Sequence, residues 1–117
     1  MEKTYSFTVK IMGTAHNFTL TATTYNWQLI DRYTPAGLIE EEEEPVFSGN
    51  YQSWGSFAPY LGEFNSRYGI MREELKKKCY KILTSDKELM RAVKSDWEAL
   101  ETIARKFGKA SREKETV

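Results

Sequence analysis

The chain has 117 residues, no net charge at pH 7, 40% hydrophobic residues and 29% charged residues. This balance is typical of one globular domain and is too apolar for a wholly disordered chain. No apolar run reaches the about 18 residues of a membrane-spanning helix, and the first residues lack the apolar stretch of a secretory signal. We therefore expect a cytoplasmic protein (in a host cytoplasm if it is viral) that does not bind a membrane.

The first thirty residues show the alternation of apolar and polar side chains that is typical of half-buried strands. Turn-forming residues at positions 13–17 separate two such runs, which predicts an antiparallel hairpin. The apolar positions are Tyr5, Phe7, Val9 and Ile11 in the first run, and Phe18, Leu20 and Ala22 in the second. Residues 25–30 alternate poorly, so a third strand there is left open.

Residues 31–55 are expected to form an acidic and aromatic loop region. Five adjacent carboxylates repel one another and resist burial, which favours a solvated loop or an exposed strand end. They are Glu40, Glu41, Glu42, Glu43 and Glu44.

Residues 56–108 are expected to be helical. Aromatic and apolar side chains recur there at helical spacing, at Phe57, Tyr60, Leu61, Phe64 and Tyr68. A second stripe runs through Leu75 and Cys79, and a third follows a capping box that begins at Ser85 and includes Glu88. Gly108 is a natural stop. Residues 109–117 have no apolar period and are expected to be a frayed charged tail.

The predicted fold is therefore α+β, with an N-terminal antiparallel β-hairpin or three-stranded meander packed against about three C-terminal α-helices. We expect a single domain over residues 1–108, since no linker divides the chain.

The chain is poor in catalytic groups. His16, the only histidine, falls in the predicted turn as an exposed polar residue, and Cys79 falls on an apolar helix stripe as a small hydrophobe. One histidine and one cysteine do not make a tetrahedral zinc site without carboxylate help, and no glycine-rich phosphate loop is present. We expect no enzyme, no cofactor and no metal. An enzyme built around His16 or Cys79 is a third hypothesis, after the two binding hypotheses described below.

The run of glutamates is the most distinctive feature of the sequence. In an extended chain its carboxylates recur about every 3.3 Å, which is close to the roughly 3.4 Å between phosphates of a DNA strand. The run is therefore a candidate to compete for a basic nucleic-acid groove, with Tyr51 and Trp54 as aromatic anchors on a partner protein. The alternative is a solvated loop that only aids solubility.

The C-terminal helices carry basic side chains that offer a second binding hypothesis. Residues 70–117 hold 13 basic and 9 acidic residues. A face that contacts phosphates would use Arg72, Lys76, Lys77, Lys78 and Lys81. The alternative is a solvated helix face with acidic neighbours.

These observations favour a small non-enzymatic binding protein that acts through protein–protein contact. Many compact proteins without catalytic groups are inhibitors encoded by phages or mobile elements, including inhibitors of host defence nucleases. That association makes a nucleic-acid-binding protein our preferred partner class. The alternative is a nucleic-acid-binding accessory protein that uses the basic face of the C-terminal helices.

The hypothesis that the run of glutamates binds a basic groove is tested by replacing all five glutamates with glutamine. We expect weaker binding to the partner and a smaller dependence of that binding on salt, because charge attraction is screened by ions. The melting temperature should stay nearly unchanged. Unaltered affinity in a titration at two salt concentrations would show that the run of glutamates does not contribute to binding.

Overall fold

Each strand of the protein pairs with the next strand along the chain. The structure, a computed structural model, describes residues 1–33, 45–53 and 56–115. One five-stranded antiparallel sheet has the order β1-β2-β3-β4-β5. The strands are β1 Glu2–Ile11, β2 Thr14–Thr23, β3 Asn26–Asp31, β4 Phe47–Ser53 and β5 Ser56–Phe64. A 3₁₀-helix follows at Ser66–Met71, and then the helices α1 Arg72–Ser85 and α2 Lys87–Glu115.

The predicted fold class is wrong in its second half. The hairpin is present as β1 and β2, and β3 supplies the third strand that the sequence left open. However, the described residues form five strands and two α-helices rather than a hairpin or three-stranded meander against about three helices. β4 lies in the segment that was expected to be a loop, and β5 lies where a helix was expected.

β5 is a strand although the spacing of its aromatic residues resembles that of a helix. Its proline opposes a helix, and its irregular pairing with β4 accounts for the spacing. Pro59 is buried within β5, and proline in a helix interior removes a hydrogen bond and costs about 3 kcal/mol. Proline is tolerated on an edge strand, which β5 is. Register shifts between Ser48 and Gly49 and between Asn50 and Gln52 break the alternation, so the aromatic spacing resembles that of a helix.

The hydrophobic core lies between one face of the sheet and the two helices. The alternation of the strands directs apolar side chains to this face. Its fully buried members include Phe18, Leu20, Trp27, Leu29, Phe47, Tyr51, Leu75, Cys79, Leu83, Leu89 and Val93. The opposite face of the sheet carries polar residues, such as the cross-strand pair Thr21 and Gln28, together with the charged Glu2 and Glu63 of the two edge strands.

α2 is anchored across the end of the sheet where β2 turns into β3. It begins beside β1, where the Tyr5 hydroxyl donates to the Asp86 carboxylate at 2.6 Å. Further along, the Trp97 indole donates to the carbonyl of Thr24 at 2.8 Å, and its ring lies 6.4 Å from that of Phe57 in β5. The core extends along α2 as far as Trp97. Residues 98–115 continue the helix beyond the core.

Asp86, rather than Ser85, caps α2. The Asp86 carboxylate accepts a hydrogen bond from the backbone N–H of Leu89 at 3.0 Å. The Ser85 hydroxyl instead donates to the carbonyl of Lys81 at 2.6 Å, within α1. The predicted capping box was therefore placed one residue too early.

No helix within the described ranges is both long enough and apolar enough to span a lipid bilayer.

Asp86 makes the free energy of unfolding depend on pH in the acidic range. The Tyr5 hydroxyl and the Leu89 N–H hold the pKa of its carboxyl down at about 2, against a usual value of 3.8. A lowered folded-state pKa stabilises the fold above about pH 4, and this stabilisation is lost as the pH falls towards 2. Asp86→Asn keeps a capping oxygen without the charge. We expect it to lower the free energy of unfolding by about 1 kcal/mol at neutral pH, because solvent screens part of the charge effect.

The measurement is urea unfolding of both proteins between pH 7 and pH 2. The difference in unfolding free energy should narrow as the pH falls from 4 to 2. A difference that stays constant over this range would contradict the role given to the Asp86 charge.

Candidate functional site

The most distinctive group of polar side chains lies at the end of the sheet where β1 turns into β2. The turn is a two-residue turn at Met12 and Gly13, whose φ angles are 50° and 83°. Two central residues with positive φ are typical of a type I′ turn, which fits the twist of a hairpin. Gly13 adopts this conformation easily, whereas Met12 is unusual there. The turn leaves the Met12 side chain 95% exposed.

His16 lies in β2, not in the turn. It pairs with Val9 of β1, and its side chain is only 13% exposed. The short turn explains the difference, because residues 14–17 already belong to the strand. The prediction of an exposed turn histidine is therefore wrong.

Asp31 joins His16 to Tyr68. The Asp31 carboxylate lies 2.7 Å from His16 Nδ1 and accepts a hydrogen bond from the Tyr68 hydroxyl at 2.9 Å. It also accepts from the backbone N–H of Tyr33 at 2.9 Å, and its side chain is 7% exposed. An ionised carboxylate only accepts hydrogen bonds, so His16 Nδ1 carries the proton and donates it.

This network holds the 3₁₀-helix against the sheet. Asp31 lies at the end of β3, and Tyr68 lies in the 3₁₀-helix 37 residues later. Burial and the hydrogen bond to Asp31 together raise the pKa of Tyr68 to about 12. The side chain of Asn65 caps the 3₁₀-helix by accepting from the N–H of Arg67 at 3.1 Å. Tyr33 packs on the His16 ring with 4.2 Å between centroids.

A pocket of about 290 Å³ opens beside the network. Its lining is mostly apolar and combines the β1–β2 turn with the 3₁₀-helix: Ile11, Met12, His16, Arg67, Tyr68, Ile70 and Met71. Ile70 is 96% exposed and Met12 is 95% exposed. We call Ile11, Met12, Ile70 and Met71 the turn-end patch. An apolar patch around a pocket with polar groups at its back is suited to hold a ligand or a partner side chain.

Of the seven residues predicted to bind a partner, Tyr51 is the one that lies among the described residues. Tyr51 is fully buried in β4, where its hydroxyl lies 3.4 Å from the carbonyl oxygen of Asn26. In this conformation a partner cannot contact Tyr51. Trp54 lies outside the described residues, as do Glu40, Glu41, Glu42, Glu43 and Glu44.

The basic residues of α1 are spread around the helix. The Arg72 guanidinium lies 5.1 Å from the centroid of the Phe64 ring, and Lys78 Nζ lies 5.9 Å from that of Phe7. Lys76 Nζ is 3.4 Å from a carboxylate oxygen of Glu73. The other two members of the predicted face, Lys77 and Lys81, are exposed. Three of the five cations therefore interact with groups of the protein itself.

Cys79 is part of the core. It is fully buried on α1, and burial raises the pKa of its thiol to about 12. A thiol with so high a pKa is almost entirely protonated at neutral pH and is a poor nucleophile.

Sequence reasoning missed the network, although one local signal pointed to it. His16 lies in the same alternation as Phe18 and Leu20, and Asp31 lies in the same alternation as Trp27 and Leu29. A histidine and an acid at positions that alternation assigns to the buried face of adjacent strands need polar partners. No such signal exists for Tyr68, because it lies 37 residues after Asp31 and their contact is not local in the sequence.

Comparisons with known proteins give no match for this chain. The chain matches no family model, and neither a curated protein nor a solved structure matches it. Within the described ranges no group of three or more metal-ligating side chains is placed to hold a metal ion.

Tyr68→Phe tests the network directly. The variant removes the hydroxyl that donates to Asp31, and a hydrogen bond to a charged group contributes about 1.5 kcal/mol or more. We expect the free energy of unfolding to fall by about 1.5 kcal/mol. Tyr60→Phe, at a half-exposed tyrosine of β5, is the matched control and should change it by less than about 0.5 kcal/mol. Equal effects of the two variants in thermal or urea unfolding would show that Tyr68 does not anchor the 3₁₀-helix.

Proposed function

We propose that this chain is a non-enzymatic binding protein that holds a partner protein on the turn-end patch. The observation that carries the proposal is the near-complete exposure of Met12 and Ile70 at the rim of an apolar pocket. Exposed apolar side chains grouped around a pocket mark a surface that binds a ligand or a partner.

A protein surface fits the patch better than a small molecule does. The pocket of about 290 Å³ is at the small end for a drug-sized ligand. A ligand that filled it would still leave most of Met12 and Ile70 in water. A partner protein that inserts one apolar side chain into the pocket and packs against its rim buries both Met12 and Ile70.

The polar groups that line the pocket can orient a partner that binds there. His16 and Arg67 line the same pocket as the apolar residues. Asp31 fixes the ring of His16, so a hydrogen bond to its Nε2 costs little side-chain entropy. A partner that places a polar group beside an apolar side chain therefore fits this site.

The pocket favours binding over catalysis. A histidine held by an aspartate is half of a nucleophile-activating arrangement. The described residues that line this pocket include no serine, threonine, cysteine or lysine for His16 to activate. The buried thiol of Cys79 belongs to the core, not to this pocket.

The sequence favours a basic partner. Residues 40–69 hold six acidic side chains and one basic side chain. A carboxylate run of this kind attracts a basic surface and speeds encounter with it. We therefore propose a nucleic-acid-binding protein as the partner class, with inhibition of a host defence nuclease as the case that the small size and missing catalytic groups suggest.

The double variant Met12→Asp/Ile70→Asp tests the proposed function. Both side chains are almost fully exposed, so the fold should be kept while the patch becomes charged. The protein and the variant are each immobilised and used to capture partners from lysate of the source cell or its host. We expect at least a tenfold loss of the proteins that the unaltered chain captures specifically, since a buried charge without a partner is costly.

The control is Tyr60→Asp, which adds a charge at a half-exposed aromatic residue of β5 away from the patch. It should capture the same proteins as the unaltered chain. Equal capture by the double variant, with its circular dichroism unchanged, would refute binding through the turn-end patch.

A further inference from the structure

The two edge strands of the sheet, β1 and β5, differ in how well they can accept another strand. β5 contains Pro59 and pairs with β4 in an irregular register, and both features discourage further pairing. β1 contains no proline or glycine and pairs with β2 in one unbroken register from Glu2 to Ile11. Among the residues that the structure describes, no strand pairs with the other side of β1. A long and regular edge of this kind is a template for pairing with another chain.

The backbone groups at the free edge of β1 belong to its even-numbered residues. The Asn17 carbonyl of β2 accepts the N–H of Arg32 at 2.7 Å, so the odd-numbered residues of β2 bond towards β3 and the even-numbered residues bond towards β1. Their partners in β1 are odd-numbered, as in the pair of Phe18 with Phe7. The residues whose N–H and C=O groups point away from β2 are therefore Glu2, Thr4, Ser6, Thr8 and Lys10.

The side chains of these five residues lie on the polar face of the sheet, and all five are exposed. Glu2 and Lys10 carry opposite charges at the two ends, about 26 Å apart at the rise of an extended chain. Neither charge takes part in an ion pair with a residue that the structure describes. Between them lie the hydroxyl side chains of Thr4, Ser6 and Thr8.

This order of charges complements itself when two copies of β1 pair in antiparallel fashion about Ser6. Glu2 and Lys10 are equally far from Ser6, so Glu2 of each copy lies directly opposite Lys10 of the other, on the same face of the joined sheet. The outward N–H and C=O groups of the two Ser6 residues meet at the centre. Each contact occurs twice, as a two-fold symmetric interface requires. A register shifted by two residues would separate the opposite charges and shorten the overlap.

The same register pairs aromatic residues on the other face of the strand. Tyr5 and Phe7 are only partly buried against the core, and they flank Ser6. Tyr5 of each copy therefore lies opposite Phe7 of the other, and aromatic cross-strand pairs stabilise a sheet. Lys78 Nζ lies 5.9 Å from the centroid of Phe7, and the Tyr5 hydroxyl donates to Asp86. Lys78 of one copy is thus brought to the same side of the contact as Asp86 of the other.

We propose that β1 is covered by a second copy of this chain, so that the two sheets join into one continuous antiparallel sheet through a β1–β1 pair centred at Ser6. The interface uses the free edge of β1, whereas the turn-end patch uses the β1–β2 turn and the 3₁₀-helix. The dimer therefore goes beyond the proposed function and does not depend on it.

The dimer should be reversible and should depend on concentration. A contact along a single strand buries less than the roughly 1,600 Å² of a standard interface. Sedimentation velocity over a wide range of protein concentration should therefore show a shift from monomer to dimer. The backbone N–H groups of Thr4, Ser6 and Thr8 should exchange hydrogen more slowly in the dimer than in the monomer, because they become hydrogen-bonded.

Ser6→Pro tests the pairing at its centre. The variant removes an N–H that points away from β2, so the hairpin keeps its own hydrogen bonds, and proline is tolerated on an edge strand. It should stay monomeric at concentrations where the unaltered protein is a dimer. Ser6→Ala is the matched control, because it keeps the N–H and should dimerise normally. Circular dichroism of each variant checks that the fold is retained.

Two charge-reversal variants test the register. Glu2→Lys and Lys10→Glu each place like charges opposite each other at both ends of the contact, and each should raise the dissociation constant about tenfold. Mixing the two variants restores opposite charges at both ends, so the mixture should associate about as tightly as the unaltered protein. Glu2 and Lys10 are too far apart within one chain to attract each other, so this rescue reports the contact between copies.

Three results would overturn the proposal. The first is an unaltered chain that stays monomeric at every concentration, even if an extended peptide of another protein binds along β1. The second is a folded Ser6→Pro variant that dimerises as well as Ser6→Ala. The third is a mixture of the charge-reversal variants that associates no better than either variant alone, and this result decides the matter if Ser6→Pro does not fold.

Discussion

The structure depends on covering one apolar face of a five-stranded antiparallel sheet with two helices. The central strands direct Phe18, Leu20 and Trp27 to this face, and α1 and the first part of α2 close over them. Burial of such side chains is the main favourable contribution to folding. The two helices cover the middle of the sheet and the end where β2 turns into β3. The end at the β1–β2 turn is closed by the 3₁₀-helix instead.

A buried carboxylate secures that closure. Asp31 accepts hydrogen bonds from His16, Tyr68 and the backbone of Tyr33, so its charge is compensated although water is largely excluded. Polar contacts fix the 3₁₀-helix there, and they leave the neighbouring apolar residues uncovered. The turn-end patch follows from this arrangement, because Met12 at the turn and Ile70 in the 3₁₀-helix have no core to enter. Leu100, Ile103 and Phe107 of α2 are exposed for a similar reason, since that helix is longer than the core it covers.

The sequence allowed prediction wherever a pattern was local and regular. The unbroken alternation of β1 and β2 was enough to predict the hairpin, whereas the bulged pairing of β4 and β5 produced a spacing that resembled a helix. Pro59 was the contrary signal in that segment. The cap of α2 was missed by one residue because Ser85 and Asp86 both suit the position, and only the contacts with Tyr5 and Leu89 favour Asp86. The candidate site was not predicted, because it joins residues from three separate elements.

If the turn-end patch binds the partner, it is open in the free protein and covered in the complex. The most direct measurement is the rate at which hydrogen peroxide oxidises each methionine, with and without the captured partner. We predict that Met12 is oxidised faster than the partly buried Met90 in the free chain, and that the partner slows oxidation of Met12 several-fold while leaving that of Met90 unchanged. Oxidation of Met12 at the same rate in the complex would contradict the account.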